Sequence, residues 1–210
     1  MTVNDPNSVT RSIEFLSSMK KRRSVRSFSN EPVENELLIN AIRTAGSAPS
    51  GANKQPWYFA LIRDTELKQK LRSAAERVES EFYAERASDR WLADLKPFET
   101  GPSKPYLTEA PAIIVVFSRS RQKTSDGQDD LTYYPIESTG IAVGFLIAAL
   151  HNAGLATLTH TPNPMHFLNK LLDLDSTFRP FMLVVTGYPA PTNFVPPITK
   201  KPTEEILIEL

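Results

Sequence analysis

The sequence predicts a mixed helix-and-strand domain, α/β or α+β, built around a small central sheet. A short continuous apolar run at 57–62 and an Ile- and Val-rich run at 112–117 have the make-up of buried strands, and 155–160 and 181–186 read as two more. Each run stands alone between stretches of helical periodicity, and the helices outnumber the strands. The 210 residues suffice for one substantial core, and no repeat or long low-complexity segment divides them. A single domain over 1–210 is therefore expected.

In chain order, apolar residues Val9, Ile13, Leu16 and Met19 form a helical stripe over 8–21. Pro32 precedes a second helix carrying Leu37, Leu38, Ala41, Ile42 and Ala45, which Gly46 closes. Small residues and turn formers then make a loop over 47–53, followed by the strand Trp57–Ile62. Asp64 caps a long helix through about Tyr83, with Leu67, Leu71, Ala74, Val78 and Phe82 facing inward. Residues 84–110 are polar apart from Trp91, Leu92 and Leu95, and Pro97, Pro102 and Pro105 interrupt them. This segment reads as a helical lid on a mobile stretch, not as a linker between domains. Pro111 introduces the strand Ala112–Phe117, and 118–132 reads as a polar loop. Residues 136–153 are helical yet apolar on every side, as suits a helix buried in the core or against a second subunit. Strand 155–160, helix 165–172 and strand 181–186 follow, and a Pro-rich tail ends in the apolar Ile206-Leu207-Ile208.

Composition narrows the chemistry. With no cysteine there is no iron–sulfur cluster, thiolate nucleophile or disulfide. Three histidines without metal-ligand spacing argue against a histidine-rich metal site. The longest apolar run, Ile141 to Leu150, is too short for a bilayer and the polar N-terminus is no signal peptide, so the expected location is cytoplasmic.

Against a formal net charge of zero, Arg22-Arg23-Ser24-Val25-Arg26 concentrates three guanidinium groups and a hydroxyl. Such a cluster on a neutral chain suits one specific anion, whereas nucleic acid calls for further basic runs that the chain lacks. Several planar donor forks can converge there on a phosphate or a polarised carbonyl. The same run is equally compatible with a solvated basic turn after a helix. No GxGxxG or GxxxxGK[ST] follows a strand, so if a phosphate is held, arginines hold it. Glu79 and Tyr83 share one helix face at i, i+4, beside the apolar stripe. Taken alone they are ordinary surface residues, as is Lys104. Together they offer a carboxylate for an ammonium, and an ammonium with a phenol for a carboxylate.

The order RRSVR, APSGANKQPW, a buried Gly-containing helix, GLATLTHTPNP, VTGYPA and KKP resembles the nitroreductase flavoprotein superfamily, from about Lys21 to Ile206. Within it, the pairing of SGA with Glu79, Tyr83 and Lys104 resembles the iodotyrosine deiodinase branch, the reductive dehalogenases of halogenated tyrosines. The resemblance implies a nitroreductase-like α+β sandwich, working as an intertwined homodimer with FMN at the subunit interface. It implies that Arg22, Arg23, Ser24, Val25 and Arg26 bind FMN, with Ser50 reaching the cofactor of the dimer. Thr159, His160 and Thr161 form a second flavin contact, in which Thr161 directs its hydroxyl at N5 and makes single-electron steps accessible. His160 stands where the family has threonine and is not assigned as an acid. Lys200 falls at the position of a phosphate-binding arginine and keeps the charge without the bidentate fork. Glu79, Tyr83 and Lys104 form a lid over the halotyrosine zwitterion within about 78–106, and the Ala52 N–H receives its phenolate.

These implications predict FMN-dependent dehalogenation of halotyrosines, fed by NAD(P)H or a reductase and requiring no metal. A general NAD(P)H-dependent nitroreductase or quinone reductase is the alternative, and a non-catalytic sensor of aromatic amino acids a third.

Overall fold

The computed structural model describes residues 5–124 and 126–210. Its centre is a four-stranded sheet of β1 (Trp57–Ile62), β2 (Ala112–Ser118), β6 (Arg179–Gly187) and β5 (Ala156–His160), in that spatial order. Every neighbouring pair is antiparallel, so of the two predicted classes the chain adopts α+β. All seven residues of β2 are buried because the sheet is covered on both faces, which explains a strand that is apolar without alternation.

The pleat divides β2 between two cores. Ile113, Val115 and Phe117 join Leu71, Ala75, Leu107 and Leu168 on the face of α3 (Thr65–Glu81), α5 (Tyr106–Glu109) and α7 (Phe167–Leu171). Ile114 and Val116 join Leu38, Ala45, Leu146 and Leu150 on the face of α2 (Asn35–Gly46) and α6 (Pro135–Asn152). Pro135 occupies the first turn of α6, where its missing N–H costs nothing. Asp64 caps α3 as expected, its carboxylate accepting the Leu67 N–H at 2.7 Å.

Gly187 ends β6 against the start of β2. A Cβ there would sit 2.7 Å from Pro111 Cγ, with the proline ring already part of the packed layer. Gly187→Ala is expected to cost about 1–3 kcal/mol through overpacking, measurable as a fall in denaturation midpoint at unchanged FMN affinity.

The structure departs from the sequence reading in four places. The segment 118–132 is not simply a loop. It contains the hairpin β3 (Arg121–Lys123) and β4 (Asp129–Leu131), whose cross-strand pairing includes Lys123 to Asp129 at 2.7 Å. A charged ribbon carries no apolar alternation to read. Leu71 of the predicted α3 stripe is fully buried and Leu67, Ala74 and Val78 partly so, but Ala75 and Lys68 are buried beside them, Lys68 because it buries its stem and spends its ammonium on the Ala110 and Thr108 carbonyls. The α-helical geometry of α3 stops at Glu81 and gives way to a π turn over Phe82–Arg86, closed by Ala87 N–H to Phe82 O at 2.8 Å. Finally, α1 (Ser8–Lys21) buries none of its stripe, and Val9, Ile13 and Leu16 are exposed together with Ile141 and Phe145 of α6. Among the described residues no helix is long and apolar enough to cross a membrane.

Candidate functional site

The arginine run leaves α1 as extended chain and lies along the free edge of β5. Ser24 bridges Thr157 in parallel, and the Val25 N–H donates to Thr157 O at 3.1 Å. This pairing covers the sheet edge and brings the cations beside the strand that ends in Thr159 and His160. Arg22, Arg23, Ser24 and Arg26 line a small pocket of about 60 Å³, closed by Phe98, Pro196 and Lys200. Arg23 donates to the Pro196 carbonyl, tying the run to the tail. The Val25 side chain faces the core instead, so only its backbone is available.

Arg26 also lines a second cavity of about 380 Å³, so the two share one wall. Its guanidinium lies 5.2 Å from the Phe98 ring centroid, and burial lowers its pKa against the favourable influence of Tyr106 and Tyr83. On one side of the large cavity stand Thr159, His160 and Thr161; on the other stand Glu79, Tyr83 and Lys104. The π turn after α3 carries Tyr83 and Arg86 to the wall.

Glu79 Oε2 accepts from Lys104 Nζ at 3.0 Å, with only 12% of the glutamate and 4% of the lysine side chain exposed. The ammonium also reaches Thr100 Oγ1 at 3.4 Å and lies 5.3 Å from the Tyr83 ring centroid. Burial, then Glu79, raises the Tyr83 pKa, so the phenol stays protonated and able to donate. Opposite, Tyr106 and His160 are both buried, with Oη and Nδ1 3.3 Å apart. Burial, and secondarily the Lys104 charge, holds the His160 pKa at about 3. The ring is neutral, and burial likewise keeps the Tyr106 proton in place. A neutral phenol and a neutral imidazole thus share one hydrogen bond between Oη and Nδ1, and Nε2 is the ring nitrogen left over. That nitrogen, in a wall of the cavity, meets no partner among the described residues.

Seven predicted site residues thus meet in one cavity and five line the adjoining cationic pocket, Arg26 being common to both. Ser50 and Ala52 line neither. Ser50 Oγ accepts the Gln55 N–H at 2.9 Å. Ala52 lies at φ 48°, in a turn whose own hydrogen bonds come from Asn53 and Lys54, leaving its N–H unspent on the turn. Tyr106 and Thr100 are cavity residues that sequence reasoning missed. Their only signal is sequence proximity to Lys104 in a Pro-rich stretch. Among the described residues no group of three histidine or carboxylate side chains could hold a metal.

A pocket of cations and a hydroxyl, beside a cavity edged by threonines and an unpartnered imidazole nitrogen, has the polar groups for a phosphate and a polar planar ring together. The carboxylate–ammonium pair above it has free valences of both signs.

Residues 19–188 match the model of the nitroreductase family. The chain is 46% identical over 200 residues to an iodotyrosine deiodinase of Haliscomenobacter hydrossis, covering 95% of this chain and 90% of that one. It is 42% identical over 201 residues to iodotyrosine deiodinase 1 of Homo sapiens, covering 95% and 70% respectively. Its fold matches the crystal structure of an oxidized iodotyrosine deiodinase bound to FMN and 3-iodo-L-tyrosine. That match has a TM-score of 0.78 and 33% identity, and covers 93% of this chain and 97% of that one.

Proposed function

The chain belongs to the nitroreductase family, on its iodotyrosine deiodinase branch, and from that premise we propose that it is an FMN-dependent reductive dehalogenase of halogenated tyrosines. The buried Glu79–Lys104 pair carries this reading. Lys104 engages one glutamate oxygen, which leaves the other for a substrate ammonium. The remaining lysine N–H groups and the Tyr83 hydroxyl suit the substrate carboxylate. Zwitterion and ion pair then close a ring of alternating charge that needs no counter-ion and leaves the cavity neutral. A general nitro or quinone reductase has no use for such a grip.

Arg22, Arg23, Ser24, Arg26 and Lys200 would hold the FMN phosphate, with Val25 contributing backbone, and Thr159, His160 and Thr161 would meet the ring. When bound, FMN supplies the two electrons that the balance requires: aryl halide, one proton and two electrons give the aryl C–H and halide. NAD(P)H or a reductase restores them. The chain's own part is to orient and desolvate. Residues 78–106 act as a lid that excludes water from the reacting ring. Ser50 and Ala52 complete the site from a second subunit in an intertwined homodimer, for which the exposed apolar faces of α1 and α6 are the contact surface. A halogen ortho to the phenol acidifies it, and an N–H donor at Ala52 selects the phenolate.

The test uses FMN-loaded protein, reduced without oxygen and mixed with 3-iodotyrosine. One iodide released per flavin reoxidised is expected. Protein that reoxidises with a nitroaromatic but not with iodotyrosine would be a nitroreductase instead. Thr161→Ala removes one cofactor hydrogen bond of about 0.5–1.5 kcal/mol and should slow iodide release roughly tenfold, with nitro reduction unimpaired.

A further inference from the structure

Lys104 lies in a stretch that cannot place itself. Pro97, Pro102 and Pro105 withhold backbone donors, and no strand or long helix runs from 96 to 105. Yet its ammonium is among the most buried groups of the cavity. What holds it is a second face of α3, where Lys68, Arg72 and Glu76 follow one another at i, i+4 and i+8 and all bond the segment 103–110. Lys68 Nζ donates to Ala110 O at 2.7 Å, and Arg72 Nη1 to Thr108 Oγ1 at 2.9 Å. Glu76 Oε1 accepts from the Lys104 N–H at 2.7 Å, from Ser103 Oγ at 3.2 Å and from Arg72 Nε at 2.8 Å. Glu79, three residues further along the same helix, takes the other end of the lysine. Lys104 is thus held at its backbone by one carboxylate and at its ammonium by another.

We propose that Glu76 is the positioning residue of the amino-acid grip, fixing the Lys104 backbone so that the ammonium is presented to the substrate carboxylate. The inference rests on the halotyrosine reading above. Glu76 remains ionised, since the Lys104 N–H, Arg72 and Ser103 together outweigh the opposing effect of its burial. An ionised acceptor makes the backbone bond charge-assisted. Without it, the backbone before Pro105 must be ordered at the moment of binding, which weakens affinity for whatever Lys104 holds. Glu76 touches no substrate, so its effect must follow the amino-acid end of the ligand and ignore the ring.

The experiment compares 3-iodotyrosine with 2-iodo-4-methylphenol, which keeps the halophenol and lacks the zwitterion. FMN-loaded wild type, Glu76→Ala, Glu76→Gln and Glu79→Gln are titrated by quenching of flavin fluorescence. Glu76→Ala is expected to weaken iodotyrosine about tenfold and leave the phenol within about twofold, with FMN retained. Glu76→Gln keeps an acceptor oxygen without the charge and should lose only about threefold, again for iodotyrosine alone. If Glu76→Ala does not fold, that selective loss in Glu76→Gln decides the matter. Equal loss of both ligands, or affinities like wild type while Glu79→Gln is impaired, would overturn the positioning role. Wild-type affinity in Glu79→Gln would bring down the grip itself, and this inference with it.

Discussion

Glu79→Gln is expected to weaken 3-iodotyrosine binding more than about a hundredfold, the equivalent of roughly 3–5 kcal/mol. The substitution keeps the volume of the side chain and removes only its charge. In a solvated setting that change would be worth well under 1 kcal/mol. Here the carboxylate is 12% exposed and its lysine partner 4%, so water cannot stand in for what is lost. The glutamine also leaves Lys104 as an unbalanced buried cation, which the substrate carboxylate then neutralises. The penalty therefore falls on the ammonium end of the substrate. Fluorescence titration of the FMN-loaded proteins measures it, and equal affinities would exclude Glu79 from the amino-acid grip.

Acid should destabilise this protein through His160. Its ordinary pKa is 6.5 and burial brings it to about 3, so an unfolded chain takes up a proton there over a range in which the folded one does not. The sign follows directly: the contribution is intact above pH 6.5 and lost as pH falls from 6.5 towards 3. The gap corresponds to roughly 4–5 kcal/mol at its full extent. Tyr106 and Lys104 face the ring, and neither offers a negative charge to balance the second proton. His160→Gln should remove this component. Urea denaturation of wild type and variant at pH 7 and pH 4 measures it as a difference of differences, which separates His160 from the carboxylates that titrate in both proteins. Parallel pH dependences would show that the imidazole is protonated in the fold.

The central strands were most legible where burial on both faces turns alternation into a plain apolar run, as in β2 and the Leu183–Val185 part of β6. The cap of α3 was legible because Asp64 acts on its immediate neighbours. The β3–β4 hairpin was not, since its pairing rests on charges whose partners lie across a turn. Lys68 reads as a surface residue until the ends of α5 are placed against it. In the site, helical spacing alone brings Glu79 and Tyr83 to one face, whereas Lys104, 25 positions beyond Glu79, joins them through bonds to α3 that leave no periodic trace.

By itself the sequence determined which residues could bind an anion and a zwitterion, because charge, donor geometry and helical period are local properties of the chain. It also determined a small central sheet among helices, because apolar runs must be covered. Only the tertiary structure decided that the arginine run lies against β5, that Tyr106 meets His160, and that Glu76 and Glu79 hold Lys104 between them. Those outcomes depend on burial, and burial belongs to the packed molecule: the same lysine is an unremarkable cation in water and a committed partner once solvent is removed.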